Sequence, residues 1–212
     1  GEQMRPLTES CPKPLLEVGG RALIEYHLSA LVTAGITDIV INVSHLGNQI
    51  ERRLGNGADY GVSIEYSRES TPLETAGGIA HASHLLGSAP FLVINGDIWT
   101  DIDLSRLPKN IDSLAHLILV KNPGHNPQGD FSLEGNQVHE KREHQASWTY
   151  SGIGIYSHQL FEHCKEERFP LAPLLRSHMA SGQISGEIHD GLWFDIGTIV
   201  RLEQLNEILL ID

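Results

Sequence analysis

Short apolar segments of strand type alternate with amphipathic helical segments over the first hundred residues, and only short turns separate them. The strand patterns cover residues 38–43, 62–66 and 91–94, and the helical patterns cover residues 22–34, 46–54 and 76–86. A strand–helix–strand order requires crossover connections, so it predicts an α/β fold with a mainly parallel sheet and helices on both faces. Ligands of such sheets bind beyond the carboxyl ends of the strands, where Asp97 is found.

The alternation is less regular after residue 100. Strand patterns cover residues 115–120, 148–156 and 184–189, and helical patterns cover residues 173–180 and 199–210. Residues 131–133 and 137–139 flank the turn sequence Glu134-Gly135-Asn136 and predict a β-hairpin, which would form a small β-ribbon. We find no internal repeat, low-complexity tract or linker, so residues 1–212 are predicted to form a single domain.

The composition argues against several classes of protein. The 212 residues include 15 basic and 27 acidic side chains, a formal net charge of −12, so we expect no nucleic-acid partner. Two cysteines without CxxC spacing predict no disulfide framework, which favours a reducing, cytoplasmic location. We expect no membrane span or signal peptide, and the twelve histidines lack the spacing of a zinc site.

Two segments have features of a phosphate- or base-binding surface. Prolines at positions 6, 12 and 14 stiffen the loop that carries Arg5 and Lys13. A fixed lysine beside a glycine-containing turn suits phosphate binding, because backbone N–H groups and the ammonium can face the same oxygens. Gly77 and Gly78, at the start of a predicted helix, permit close approach of a base or a phosphate. The structural alternatives are a solvated loop and close helix–strand packing.

Two aspartates are candidate metal ligands. Asp97 closes the run Asn95-Gly96-Asp97 after a buried strand, and Asp195 precedes Ile196-Gly197-Thr198. Mg²⁺ takes few protein carboxylates and fills its remaining positions with phosphate and water oxygens, so two such residues suffice. The alternatives are an ordinary turn aspartate at position 97 and a partner for the following helix N-terminus at position 195.

Taken in order, these motifs resemble the sugar-phosphate nucleotidyltransferases, and the resemblance covers almost the whole chain. The family signature is a glycine-rich loop running into R-x-x-P-x-T, then P-K-P, T-A-G-G, a strand ending in G-D, and a late D-I-G-T. The resemblance implies a Rossmann-like nucleotidyltransferase fold, Mg²⁺ as cofactor, and a monomer or small homo-oligomer. It also implies the reaction, in which a sugar 1-phosphate oxygen attacks the α-phosphorus of a nucleoside triphosphate and pyrophosphate leaves.

The resemblance also implies roles on the nucleotide side. Lys13 matches the family lysine that steadies the α-phosphate, and Asp97 and Asp195 match the paired aspartates that hold Mg²⁺. We group Arg5 with Lys13 as a catalytic cation, on the hypothesis that it compensates for Gln3. Main-chain groups around Ala76 and Gly77 match the base-recognition stretch. The full set of implied nucleotide contacts is Gly1, Glu2, Lys13, Glu74, Ala76, Gly77 and Asp97.

On the sugar side, relatives have a Glu-Lys pair before a strand containing Thr-Gly or Ser-Gly. Glu140 and Lys141 match that pair, so Glu140 would accept sugar hydroxyls and Lys141 would pair with the sugar phosphate. Gly152 would approach the sugar with its backbone, and Asn95 beside Asp97 is grouped with the sugar-phosphate contacts. The alternative is a solvated Glu-Lys pair on a β-ribbon.

Two departures from the family pattern stand at the start of the chain. Relatives have a hydrophobic strand and a fuller glycine-rich loop, so we expect the first strand and the start of that loop to precede Gly1. Gln3 stands where the family usually has arginine, and a neutral amide cannot replace a guanidinium on phosphate oxygens, which puts triphosphate affinity in doubt.

The substrates remain open at this point, with one pair favoured. The resemblance favours UTP and an amino-sugar 1-phosphate, in cell-wall recycling. Transfer to mannose or glucose 1-phosphate from GTP, dTTP or UTP is the nearest alternative, and a choline-phosphate cytidylyltransferase of the same fold is another. A nucleotide-sugar sensor without turnover is the alternative from a different functional class, and Gln3 is its support.

Overall fold

The computed structural model describes Met4, residues 6–142 and residues 144–210. Its helices are α1 (Leu7–Ser10), α2 (Leu23–Thr33), α3 (Gly47–Leu54), α4 (Glu74–Ala82), α5 (Leu171–Met179) and α6 (Ile199–Leu209). Its strands are β1 (Glu17–Val18), β2 (Arg21–Ala22), β3 (Asp38–Val43), β4 (Ser63–Arg68), β5 (Phe91–Ile94), β6 (Ile98–Thr100), β7 (Ala115–Val120), β8 (Phe131–Glu134), β9 (Gln137–Glu140), β10 (Thr149–Tyr156), β11 (Ile184–Ile188) and β12 (Trp193–Asp195). None of the helices in these ranges is long and apolar enough to cross a membrane.

The chain divides into two compact units, each built from separated stretches of sequence. The first unit comprises Gly1–Pro72, Asn95–Leu107 and Leu192–Asp212, and the second comprises Leu73–Ile94 and Pro108–Gly191. The expectation of a single domain over residues 1–212 stays a prediction.

The first unit contains a parallel strand pair covered by helices. Strand β3 pairs with β4 in register from Asp38↔Ser63 to Val43↔Arg68, and α3 is part of the crossover between them. One core forms where α2, α3 and this pair meet, because their apolar residues recur at the helix and strand periods and are buried together. Its buried members are Ala22, Ile24, Leu28, Val43, Ile50, Leu54, Val62 and Ile64.

A second core of the first unit lies around β6, β12 and α6. Strand β12 pairs with β6 antiparallel, with Asp195 opposite Ile98. Buried residues from both ends of the chain pack here, so the late D-I-G-T segment is held beside the loop that follows β5. These residues are Met4, Leu16, Val18, Leu23, Trp99, Ile196, Leu202 and Leu205.

The second unit is built on a six-stranded sheet in the order β5-β10-β7-β11-β9-β8. Helices α4 and α5 contribute to the same core as this sheet, which is lined by fully buried aliphatic and aromatic side chains. Representative members are Leu117, Leu119, Tyr156, Leu175 and Ile184. The β8–β9 hairpin, with Phe131 opposite Glu140, is the predicted β-ribbon.

The α/β class is confirmed, but the mainly parallel pairing is corrected. Among the described strands only β3–β4 and β7–β11 run parallel, and the other six pairs run antiparallel. Parallel neighbours need a crossover, which the regular alternation before residue 94 predicts, whereas the later strands form hairpins and long returns. Strands β6 and β12, three residues each, are too short to give a periodic signal.

Candidate active site

A stiff turn places the ammonium of Lys13 against the carboxylate of Asp97. Pro12 is extended and Pro14 lies in the first turn of the short 3-10 helix Lys13–Leu15, so the backbone around Lys13 has little freedom. The Lys13 Nζ donates to Asp97 Oδ2 at 2.8 Å. A Cβ at position 96 would lie 2.9 Å from Pro14 Cγ, so Gly96 lets the turn approach this closely. The structure therefore brings together two predicted site residues that are distant in sequence.

The backbone of the Asp195 segment lies directly beside Asp97. The N–H of Ile196 donates to the carbonyl of Asp97 at 2.7 Å, and Asp195 is opposite Ile98 in the β6–β12 pair. The two predicted metal ligands therefore lie on adjacent backbone segments of one unit, although 98 positions separate them in the sequence (195 − 97).

Arg201 is a member of this cluster that the sequence reasoning missed. Its guanidinium donates to the Asp195 carboxylate, and its backbone N–H and Nε both donate to Thr198 Oγ1 at 3.3 Å. Thr198 is the N-cap of α6, so Asp195 does not serve as that cap. The signal was available, because a basic residue in the first turn of a helix that follows D-I-G-T is placed to reach back to the aspartate.

Asp97 thus pairs with Lys13, and Asp195 pairs with Arg201. The four formal charges cancel, although the chain as a whole carries −12. Within the described ranges no group of three or more His, Cys, Asp or Glu residues forms a metal cluster. Two carboxylates, with phosphate and water oxygens as further ligands, suit Mg²⁺, which seldom takes an all-protein shell.

His27, on α2, lies beneath this cluster. Burial lowers the pKa of His27 to about 4, although a hydrogen bond to the backbone of Ile98 and the nearby charge of Asp97 both act to raise it. The imidazole is therefore neutral at pH 7, and its buried Nε2 has no hydrogen-bond partner among the described residues. His27 thus adds no positive charge near Asp97 at neutral pH.

The predicted base-recognition residues lie in the second unit, at the start of α4. Glu74 is the first residue of that helix and has a φ of +60°, and Ala76 is fully buried. The N–H of Gly77 donates to the carbonyl of Phe169 at 3.3 Å. The Gly77 N–H is therefore already hydrogen-bonded within the unit. A nucleotide base would have to contact other groups of residues 74–77.

The predicted sugar-side residues are divided between the units. Glu140 ends β9, and Lys141 follows it, both exposed. Gly152 has a φ of +84° at the register shift of β10, a conformation that favours glycine. Strand β8 lies between the end of β9 and the segment that leads into β10. Its residue Phe131 pairs with Glu140 on one side and forms a bridge to Trp148 on the other. Asn95 lies in the first unit, two residues before Asp97.

Three further predicted residues, Gly1, Glu2 and Arg5, lie outside the described residues, as does Gln3. Their roles stay predictions.

The α/β fold and the lysine–aspartate pair beyond a strand are the features that a transferase acting on nucleotides requires. The family model described as nucleotidyl transferase matches residues 1–210, so the chain belongs to that family and is a nucleotidyltransferase. The chain is 50% identical to the N-acetylmuramate alpha-1-phosphate uridylyltransferase of Neisseria meningitidis, over 96% of this chain and 92% of that protein. Its identity to the Caulobacter vibrioides protein of the same name is 32%, over 93% of this chain and 88% of that protein.

A solved structure has the same fold. The crystal structure of HddC from Yersinia pseudotuberculosis superposes with a TM-score of 0.78, covering 98% of this chain and 95% of that chain. Because the sequence identity is only 20%, this similarity shows that the two proteins share a fold and nothing about function.

Proposed function

We propose that the protein transfers a uridylyl group from UTP to N-acetylmuramate α-1-phosphate, giving the UDP-sugar and pyrophosphate in cytoplasmic cell-wall recycling. The observation that carries the proposal is the Lys13–Asp97 pair, set beside the Asp195 backbone within one unit. The choice of substrates is supported by 50% identity over nearly the full length of a relative with that name.

The reaction needs positioning and charge compensation more than covalent catalysis. An oxygen of the sugar phosphate forms a bond to the α-phosphorus of UTP, the bond from that phosphorus to the bridging oxygen breaks, and pyrophosphate leaves with its electron pair. Lys13 stabilises the charge that develops on the α-phosphate oxygens. Its side chain is 23% exposed and that of Asp97 is 38% exposed, so this solvated pair can exchange partners when an anion arrives.

Asp97 and Asp195 are the residues that would hold Mg²⁺. Bound there, the ion would reduce the repulsion between the two anionic substrates. Arg201 keeps the Asp195 carboxylate oriented and compensated before substrates bind. Arg5 supplies a further cation for the triphosphate.

The remaining residues act in recognition. Glu74 and the backbone around Ala76 and Gly77 contact the base and ribose, with Gly1 and Glu2 on the phosphate side. Glu140 accepts hydroxyl hydrogens of the sugar, Lys141 pairs with its phosphate, and Asn95 and Gly152 complete the contacts.

Pyrophosphate release tests the proposal. The full-length protein would be assayed with Mg²⁺ against UTP, dTTP, GTP, CTP and ATP, each combined with N-acetylmuramate, glucose, mannose or glucosamine 1-phosphate, and with phosphocholine. We expect release with UTP and N-acetylmuramate 1-phosphate. Preference for another pair would overturn the substrate assignment and keep the reaction class. Nucleotide binding without pyrophosphate release from any substrate pair would instead support a nucleotide-sugar sensor.

A further inference from the structure

A short stretch of the second unit, residues 166–169, contacts α4, and most of its bonds are made to the start of that helix. The N–H of Phe169 donates to the carbonyl of Leu73 at 3.1 Å, and the carbonyl of Phe169 accepts from the N–H of Gly77 at 3.3 Å. Side chains add to these contacts, because Arg168 Nε donates to Glu74 Oε1 at 2.8 Å. We call residues 166–169 the clamp segment.

The clamp segment also approaches α4 more closely than a side chain at position 77 would allow. A Cβ on Gly77 would lie 2.2 Å from the carbonyl oxygen of Glu167, well inside van der Waals contact. Farther along the helix, His81 Nδ1 lies 2.9 Å from Glu166 Oε2. Gly77 therefore serves, in this structure, to admit the clamp segment against the helix start.

Glu74 has a backbone conformation that its surroundings must maintain. Its φ of +60° is left-handed, which costs a residue with a Cβ about 1 kcal/mol or more and is uncommon outside glycine and asparagine. Such conformations persist where neighbouring contacts determine them, and the Leu73 carbonyl, the Glu74 carboxylate and the Gly77 amide are all bonded to the clamp segment. The clamp segment thus holds both ends of the stretch 73–77.

The ion pair between Arg168 and Glu74 is too exposed to be explained by stability. The Arg168 side chain is 72% exposed and that of Glu74 is 36% exposed, and pairs of this kind contribute little to the free energy of folding. The pair instead restrains the direction of the Glu74 carboxylate, through the one hydrogen bond from Arg168 Nε to Glu74 Oε1.

We infer that Arg168 is a positioning residue for nucleotide binding, acting through Glu74. This rests on the proposed function, in which the stretch 73–77 meets the base and ribose. Arg168 itself touches no reacting atom. Its loss would release the Glu74 carboxylate, so binding of the nucleoside triphosphate would weaken while the chemical step and the sugar side remain unchanged.

Steady-state kinetics of Arg168→Ala test this inference. We expect the KM for UTP to rise about three- to tenfold, with kcat and the KM for the sugar 1-phosphate within about twofold of wild type. Arg168→Lys keeps the positive charge but lacks the Nε donor that bonds Glu74, and it should restore part of the loss. Arg68→Ala is the matched control, because Arg68 forms an exposed pair with Glu51 at 2.7 Å, outside the proposed site. Unchanged melting temperatures would exclude unfolding as the cause.

A double-mutant cycle with Glu74→Ala separates positioning from a direct contact. If Arg168 acts through Glu74, the effect of Arg168→Ala on the KM for UTP disappears in the Glu74→Ala background. A KM for UTP unchanged by Arg168→Ala, or an effect that persists without Glu74, would overturn the inference while leaving the enzyme reaction intact. Absence of pyrophosphate release from the wild-type protein would instead overturn the proposed function.

Discussion

At the scale of single residues, the candidate site depends on two carboxylates, and only one of their two positive partners was named in the sequence analysis. Asp97 and Asp195 were predicted from their motifs, and the structure supplies Lys13 and Arg201 as the side chains that neutralise them. Asparagine has the shape of aspartate but lacks its charge and has an NH2 donor in place of one acceptor oxygen, a change that an aspartate with only a structural task tolerates at moderate cost. A metal ligand would not be replaceable in this way.

Asp97→Asn or Asp195→Asn should therefore lower kcat/KM by about two to three orders of magnitude, because metal stabilisation of phosphoryl transfer is worth several kcal/mol. The fold should survive, since Asp97 is partly exposed. Pyrophosphate release at saturating Mg²⁺ measures the loss, and circular dichroism checks the fold. Asp112→Asn, at an exposed position elsewhere, is the control and should behave as wild type. Near-normal turnover in either site variant would remove that residue from the metal site.

Gln3 gives a second residue-scale prediction. A guanidinium donates two parallel hydrogen bonds to phosphate oxygens, and a neutral amide lacks the charge that strengthens them. Gln3→Arg should raise kcat/KM for the triphosphate about tenfold, the equivalent of one charge-assisted hydrogen bond. Gln3→Asn retains a neutral amide and is the control. An unchanged kcat/KM in Gln3→Arg would show that another cation, such as Arg5, already does this work.

At the scale of elements, one buried carboxylate connects α2 to its neighbours. Glu25 is 8% exposed, and its Oε1 accepts from the Tyr60 hydroxyl at 2.8 Å and from Arg53 Nε at 3.0 Å. Its Oε2 accepts from the N–H of Ala22 at 3.2 Å, as in a capping box. Burial by itself would raise the pKa of Glu25, but the hydrogen bonds from Tyr60, Arg53 and Ala22 outweigh it and lower the pKa.

A lowered pKa makes Glu25 a stabilising group at neutral pH. Its contribution is complete above the unfolded-state pKa of about 4.3 and is lost as the pH falls through the lower folded-state pKa. Glu25→Gln should cost about 1–3 kcal/mol of unfolding free energy at pH 7, because it weakens a buried charge-assisted network. The deficit should shrink below about pH 4 as the wild-type carboxyl becomes protonated.

Urea denaturation across this pH range measures both effects. Glu51→Gln is the comparison, since hydrogen bonds from Arg68 also lower the pKa of Glu51, but at the surface. The unfolding free energy that Glu51→Gln loses at pH 7 should be smaller than the loss caused by Glu25→Gln. Equal losses in the two variants would mean that burial of the Glu25 network adds nothing to stability.

At the scale of the whole molecule, the positions of strands could be predicted from local periodicity, but the direction in which the strands pair could not. Strands β3, β5 and β7 occur at the predicted residues, because alternation and apolar runs are local signals. The direction of pairing is not local, and the later strands proved largely antiparallel. The role of Arg168 could not be predicted for the same reason. Its hydrogen bond to Glu74 joins residues 94 positions apart, and no sequence motif indicates it.

The charge distribution of the whole chain makes a final prediction about ligand binding. The chain has a formal net charge of −12, and the two predicted metal ligands are already neutralised by Lys13 and Arg201. Mg²⁺ alone must displace those cations, and UTP alone adds an anion to an acidic protein, so each should bind weakly by itself. Together they compensate each other, so UTP with Mg²⁺ should bind far better than either alone.

Thermal unfolding reports this coupling. At a concentration of UTP about a hundred times its Kd, Mg²⁺ and UTP together should add about 2.7 kcal/mol of stability. For a chain of this length, that gain raises the melting temperature by about 5–10 °C. Mg²⁺ alone, or UTP with EDTA, should give a small fraction of that shift, and Asp97→Asn should lose most of the combined effect. A full shift with UTP in EDTA would mean that the triphosphate binds without a metal, and the carboxylates would then need a different role.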